Sequence, residues 1–258
     1  MNNYIDLKPV SELLGMNFFV PSYQRGYRWT EQQITDLLDD IYSFAIKKDK
    51  SEKEFYCLQP IIVKKIIEKE SKIEKYEIID GQQRLTTIRI LFSYLIKTHL
   101  NNEPLEDNYD KKLYTIHYET RNNSTVFLDS IKVDPKNNID FYHMAKAYEY
   151  INTWFENKEK KRDVRESVLR TLVLGKKDKR EEGIVQVIWY EIKDNETNPI
   201  DTFIRINLGK ISLTNAELIK ALFLQERNFG EGDIAKLKQL EVAQKWDRIE
   251  NQMQEVNF

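Results

Sequence analysis

Residues 76–88 constrain the fold most, because the pattern there changes from strand-like to helix-like within a few positions. Positions 76–79 are rich in β-forming residues, and apolar residues recur at helical spacing from Leu85 onward. Only residues 80–84, with the sequence Asp-Gly-Gln-Gln-Arg, separate the two patterns. The sequence therefore predicts a strand, a turn at Gly81 and a helix that begins at once.

A helix that starts directly after a strand can bind phosphate. Its first N–H groups have no intrahelical partner, and the helix dipole favours negative charge there. Gly81 would let a ligand approach the backbone, Arg84 offers a guanidinium fork, and Asp80 can accept a hydrogen bond or hold a divalent ion. The alternative is a structural turn in which Asp80 caps the helix and Gln82 and Gln83 are solvated. A Walker A loop is absent.

A second polar segment, residues 21–29, has the sequence Pro-Ser-Tyr-Gln-Arg-Gly-Tyr-Arg-Trp. Its three large aromatic side chains and two arginines suit one wall of a ligand site, with rings for stacking and guanidinium groups for phosphate. The alternative is a loop held in place by its aromatic residues. Arg25 and Arg84 each follow a glutamine after a strand-like pattern, and ligands collect at strand ends in open α/β sheets. We therefore expect both arginines to converge on one phosphate site.

The remaining pattern predicts an α+β fold, a small mixed sheet with packed helices followed by a larger helical region. Strands are expected at residues 18–20, 55–67, 73–79 and 183–192. The second and third are expected to form a hairpin with a bulge or a strand start near Pro60, and the last to return to the sheet. Helices are expected at residues 9–14, from a capping box at 30–33, after residue 84, at 123–133, 139–157 and 163–174, after 199 and 214, and from about 233. Residues 101–110 are interpreted as a linker or insert.

The net charge of −2 gives the chain no global basic field of the kind that nucleic-acid binding favours. Two basic-rich runs, 158–162 and 176–180, are interpreted as solvated helix ends, with DNA contact as the alternative. The single cysteine, Cys57, excludes an intrachain disulfide framework and a cysteine-rich zinc site. No apolar run approaches the roughly 20 residues of a membrane span. We expect a cytoplasmic protein with no membrane partner.

Four segments together resemble a known family, namely residues 20–29, 79–87, 203–209 and 213–221. In this order they are similar to the N-terminal domain of GmrSD-type modification-dependent restriction enzymes, which belongs to the ParB and sulfiredoxin-like superfamily. The similarity runs from about residue 5 to residue 246. It implies a ParB-like nucleotide-binding core over residues 1–121 and a mainly helical region over 122–258 that completes the same module. Gln59-Pro60 departs from the family, where glycine is common before the strand.

The resemblance implies a regulatory domain that binds and hydrolyses an NTP with Mg²⁺, its base undetermined, in defence against phage DNA. Its catalytic residues would be Asp80, Gln82, Gln83 and Arg84, with Asp80 also the metal ligand. The residues implied in nucleotide binding are Tyr23, Gln24, Arg25, Trp29, Gly81, Thr86, Thr87, Arg205 and Asn207. Further expected partners are a second copy of the chain, weakly bound modified phage DNA, and a C-terminal HNH-type nuclease domain in a longer protein.

Two alternatives to the nucleotidase remain open at this stage. One is a ParB-like switch, in which nucleotide binding with negligible turnover gates DNA binding or oligomerisation. The other is a DNA-binding module without catalysis that uses the same arginines on DNA phosphates. We assign none of His99, His117 and His143 to a nuclease site, because none lies in an HNH-like context. The helical pattern at the end of the chain favours continuation into a larger protein.

Overall fold

A computed structural model of the chain describes residues 4–51, 54–67, 73–121, 123–131, 138–174, 184–193, 199–202, 215–230 and 232–255. These residues form a six-stranded mixed sheet with the strand order β1-β6-β3-β4-β2-β5. The strands are β1 (Tyr4–Pro9), β2 (Asn17–Val20), β3 (Phe55–Ile67), β4 (Glu74–Asp80), β5 (Thr115–Tyr118) and β6 (Ile184–Ile192). The predicted α+β fold, a mixed sheet with packed helices, is confirmed.

The strand directions bring three chain segments to one edge of the sheet. Strands β4, β2 and β5 are neighbours and run parallel, so their carboxyl ends lie side by side. Strand β3 pairs antiparallel with β4, as the predicted hairpin requires, and β6 pairs parallel with β3. The loop that follows β2 and the turn that follows β4 are therefore adjacent. In open sheets this is the edge at which ligands collect.

The sheet is larger than predicted. Strand β1 pairs antiparallel with β6, and the short β5 pairs with β2 at the opposite edge. Both are edge strands, and the polar residues Asp6 and Lys8 hide the strand pattern of β1. The strand expected near residues 183–192 does return to the sheet, where it lies between β1 and β3. Strand β3 changes register with β6 between Leu58 and Ile61, so of the two alternatives expected near Pro60 the bulge is the one present, and the strand continues through it.

Helices cover the sheet and contain more of the described residues than the strands do. They are α1 (Val10–Leu13), α2 (Glu31–Ala45), α3 (Gln82–Thr98), α4 (Leu105–Tyr109), α5 (Ser124–Asp129), α6 (Ile139–Glu156), α7 (Lys161–Val173), α8 (Asn215–Phe223) and α9 (Asp233–Glu255). The predicted capping box is present at the start of α2, where Gln33 Oε1 accepts from Thr30 N–H at 2.8 Å. None of the described helices has both the length and the hydropathy for a membrane crossing.

Helix α3 lies at the centre of the packing. Its predicted apolar face, which includes Ile88 and Leu91, is fully buried, and so are Ile90 and Tyr94 on other sides of the helix. Helix α3 packs on α6, while α2 packs on both α6 and α7. A helix buried nearly all round has little freedom to shift, so its first turn is a rigid platform at the sheet edge.

Two predictions differ from the structure, and a third can be compared only in part. The segment 101–110 is not simply a linker, because it contains α4 with Leu105 buried. Helix α4 follows Pro104, whose fixed φ favours a helix start. Helix α5 ends at Asp129, short of the expected end at residue 133. Of the helix predicted after Pro199, residues 199–202 are helical as expected, and the remainder lies outside the described residues.

Candidate functional site

The candidate site is the turn between β4 and α3 together with the loop 21–29 that follows β2. The predicted strand-turn-helix is confirmed: β4 ends at Asp80, Gly81 has a φ of +98°, and α3 begins at Gln82. The loop 21–29 contains no helix or strand. Because β2 and β4 are parallel neighbours, the two segments face each other across the sheet edge.

Gly81 is required by its backbone and by its surroundings. A Cβ atom there would lie 3.1 Å from Ile61 Cγ1 and 3.2 Å from Pro60 O, which is closer than ordinary van der Waals contact. The sequence predicted that this glycine admits a ligand. The structure shows that the close neighbour at the missing Cβ is strand β3 at its bulge. The glycine therefore sets the angle at which α3 leaves the sheet.

The backbone N–H groups in the first turn of α3 have no intrahelical partner. Gly81 has no side chain to cap the helix, and the first helical bond is from Leu85 N–H to Gly81 O at 3.0 Å. The N–H groups of Gln82, Gln83 and Arg84 precede this bond and point out of the helix end. With the dipole of a 17-residue helix behind them, they form a local site of positive potential.

The two glutamines of the turn bind the loop 21–29 rather than solvent. Gln82 Nε2 donates to Arg25 O at 2.6 Å. Gln83 Nε2 donates to Gly26 O at 2.9 Å, and Gln83 Oε1 accepts from Arg28 N–H at 2.9 Å. Gln82 and Gln83 are 5% and 8% exposed, so the alternative of solvated glutamines is wrong. All polar atoms of the Gln83 side chain are engaged, whereas Gln82 Oε1 is buried without a hydrogen-bond partner among the described residues.

Other predicted residues also connect the loop to the platform. Gln24 Nε2 donates to Ile78 O of β4, and Tyr23 OH donates to Glu77 Oε1 at 3.1 Å. Trp29 is half-buried against the hydrophobic core. These contacts agree with the predicted alternative of a loop held in place by its aromatic residues. The predicted contact of this loop with a ligand stays a prediction.

The two threonines of the motif lie in the core. Thr86 Oγ1 is 2.7 Å from Tyr118 OH, and Thr87 Oγ1 is 2.8 Å from Tyr27 OH. Both threonines are fully buried, so neither presents a surface to a ligand in this structure. Their hydroxyl groups instead attach α3 to the ends of β5 and of the loop 21–29. These contacts fix the position of α3 next to the site without facing a ligand.

Arg84 lies on the β3 side of the helix start. Its Nη1 donates to Pro60 O at 2.6 Å, and its Nη2 donates to Gln59 Oε1 at 2.9 Å. Burial lowers the pKa of the guanidinium, and the nearby Asp80 carboxylate opposes that shift. Arg25 is held from the other side, through its carbonyl group and Gln82. The two arginines thus flank the helix start, and the convergence of their guanidinium groups stays a prediction.

A metal would have to share its ligands with a substrate. Asp80, half-buried at the end of β4, supplies one carboxylate. Among the described residues no three acidic, histidine or cysteine side chains cluster as a metal site. One carboxylate with phosphate oxygens and water is a common way to bind Mg²⁺, so Asp80 fits that mode. The predicted Arg205 and Asn207 lie outside the described residues.

Sequence reasoning missed a group of charged residues next to this site. Arg28, Arg121, Asp140, Lys220 and Asp247 form linked ion pairs, mostly buried, beneath the loop 21–29. They come from distant parts of the chain, and although the sequence marked Arg28 as a candidate phosphate ligand, nothing in it indicated the pairing of Arg28 with Asp140. No local signal could have found them.

The fold and the site match one protein family. The family model described as the N-terminal domain of the GmrSD restriction endonuclease matches residues 10–224. The match spans most of the chain and both site segments, so the chain belongs to this family, as its motifs predicted. Membership implies a phage-defence restriction protein. A comparison with curated proteins gives no significant match.

Proposed function

We propose that the chain is an NTP-binding and NTP-hydrolysing regulatory domain of a restriction protein. The observation that carries the proposal is the uncapped start of α3, a ready anion site between Arg84 on one side and the Arg25 loop on the other. Phosphate binding at such a helix start needs no further structure than these donors and cations. A nucleoside triphosphate is the phosphate ligand that the family and the motif favour.

Each residue of the site has a distinct proposed role. The N–H groups of the first turn bind phosphate oxygens, and Arg84 and Arg25 neutralise their charge from two sides. Asp80 is the one motif carboxylate that would hold Mg²⁺, which when bound screens charge on the phosphates. Gly81 sets the direction of α3, and Gln83 holds the loop 21–29 against the start of that helix.

Gln82 is the proposed water-positioning residue. Because its Nε2 donates to Arg25 O, the amide orientation is determined and Oε1 is left as an acceptor. A buried acceptor without a partner costs about 1–3 kcal/mol. A hydrogen bond from a water molecule or a ligand hydroxyl would remove that cost. Orientation of the attacking water by a glutamine is a known solution in phosphoryl transfer.

The first experiment is a thermal shift with each NTP, with and without Mg²⁺, on the parent and on Arg84→Ala. At a hundredfold excess of ligand over Kd, binding stabilises the parent by about 2.7 kcal/mol. For a chain of this size that corresponds to a rise in Tm of about 5–10 °C. Arg84→Ala should lose the shift and the release of phosphate, and Arg84→Lys should restore only part, because a lysine lacks the bidentate fork.

Arg162→Ala is the matched control, since Arg162 is an exposed arginine on α7. It should keep the full shift. A parent that responds to no NTP would contradict the proposal, and so would an Arg84→Ala variant that binds every NTP like the parent. Binding without phosphate release would favour the nucleotide-gated switch instead.

A further inference from the structure

A buried ionic network lies between the loop 21–29 and helix α9. Asp140 on α6 and Lys220 on α8 are each 2% exposed, and Arg121, just after β5, is 5% exposed. Asp247 on α9 and Arg28 of the loop itself complete the network. Charged groups are rarely buried to this extent unless they are paired, so the network is a specific feature of the fold.

The pairs form a continuous chain of contacts. Asp140 accepts from Arg28 Nη1 with one oxygen and from Arg121 Nε with the other. Arg121 Nη1 lies 3.0 Å from Asp247 Oδ2, and Lys220 Nζ lies 2.6 Å from Asp247 Oδ1. Asp247 therefore joins α9 to a network that reaches the loop through Asp140.

The network touches the loop on both sides of Arg25. Lys220 Nζ donates to Gln24 O at 3.2 Å. Gly26 lies so close to Asp140 that a Cβ atom there would be 1.8 Å from Asp140 Oδ1. Arg28 is an ion-pair partner through its own side chain. On the opposite side, Gln82 binds Arg25 O, so the backbone of the loop is held between α3 and the network.

We propose that Asp140 and Asp247 are positioning residues, which hold Arg25 toward the phosphate site and couple the seating of α9 to nucleotide binding. This inference rests on the proposed function. It follows that a displacement of α9 would loosen the loop and weaken the affinity for nucleotide. By linkage, nucleotide binding would stabilise the docked position of α9 to the same extent.

The charges of the network are held by their partners. Burial by itself disfavours the charged carboxylate of Asp140, but Arg121 and Arg28 outweigh it and hold its pKa below the ordinary value. Burial lowers the pKa of Lys220, and Asp247 opposes that shift. Removal of one carboxylate would leave buried cations without a partner, whereas replacement of a whole pair by apolar side chains is much better tolerated.

The test compares Asp247→Asn and Asp140→Asn with the parent, measuring the Kd for the NTP that binds best by calorimetry. A positioning role predicts a Kd at least about 10-fold weaker, with a KM that rises more than kcat falls. Asp129→Asn is the matched control, because Asp129 pairs with the buried Arg89 away from the loop 21–29. Its Kd should stay within about twofold of the parent value.

Hydrogen exchange of residues 21–29 separates this inference from the proposed function. Without nucleotide, Asp247→Asn should raise exchange in the loop selectively, and Asp129→Asn should not. If the parent binds no NTP, the proposed function fails, but selective exchange would still show that α9 holds the loop. Unchanged exchange in the loop, or a lower Tm with an unchanged Kd, would overturn the positioning role.

If Asp247→Asn does not fold, the pair Lys220→Met with Asp247→Leu replaces it. This double variant removes the contact with Gln24 O and the link to α9 and leaves no unpaired lysine. It should fold and show the same weaker Kd and the same rise in exchange. A double variant with the parent's Kd and exchange would overturn the inference.

Discussion

Gly81→Ala should destabilise the protein more than the same change at any other described glycine of positive φ. A left-handed alanine costs about 1–2 kcal/mol. At Gly81 the new Cβ would also meet Ile61 Cγ1 at 3.1 Å and Pro60 O at 3.2 Å, and overpacking of this kind costs about 1–3 kcal/mol. The expected loss is therefore about 2–5 kcal/mol in the free energy of unfolding.

Gly15→Ala is the control that separates the two costs. Gly15 has a φ of +83°, similar to the +98° of Gly81, but a Cβ there would meet nothing within 4 Å. Gly15→Ala should thus lose only the backbone part, about 1–2 kcal/mol. Urea unfolding of both variants measures the difference through the midpoint at constant m. Equal losses at the two positions would refute the view that contact with β3 makes a glycine necessary at the turn.

Two further predictions concern the support of the site and its pH dependence. Thr87 Oγ1 donates to Gln83 O at 2.9 Å, so Tyr27 OH must be the donor in its 2.8 Å contact with Thr87 Oγ1. Tyr27→Phe should therefore lower the free energy of unfolding, measured in urea, by about 1–2 kcal/mol. An unchanged free energy of unfolding would show that this hydrogen bond contributes nothing to stability. Burial lowers the pKa of His143 below its ordinary value, and the nearby Arg28 adds to the shift, so the unfolded chain binds the proton more readily. The free energy of unfolding should therefore fall from pH 7 to pH 5, and His143→Gln should reduce that fall; an unchanged slope would contradict the shift.

Local chemistry in the sequence was sufficient for much of the fold. The capping box at Thr30, the hairpin of β3 and β4, the bulge at Pro60 and the turn at Gly81 each depend on residues a few positions apart. Turn chemistry and hydrophobic period act over that range, so they can be seen in the order of residues alone. The edge strands β1 and β5 were missed because they are short or polar and owe their form to pairing with β6 and β2.

The candidate site shows the same division. Its location followed from the motif, because a strand, a glycine and a helix start define a phosphate-competent turn wherever the chain places them. The contact of Gln82 with the carbonyl group of Arg25 could not be predicted, since the two residues lie 57 positions apart and are brought near by the parallel pairing of β2 with β4. The network around Asp140 depends on still longer separations, 112 residues to Arg28. Periodicity determines which residues form each element, and only tertiary packing decides which buried charges and amides become partners.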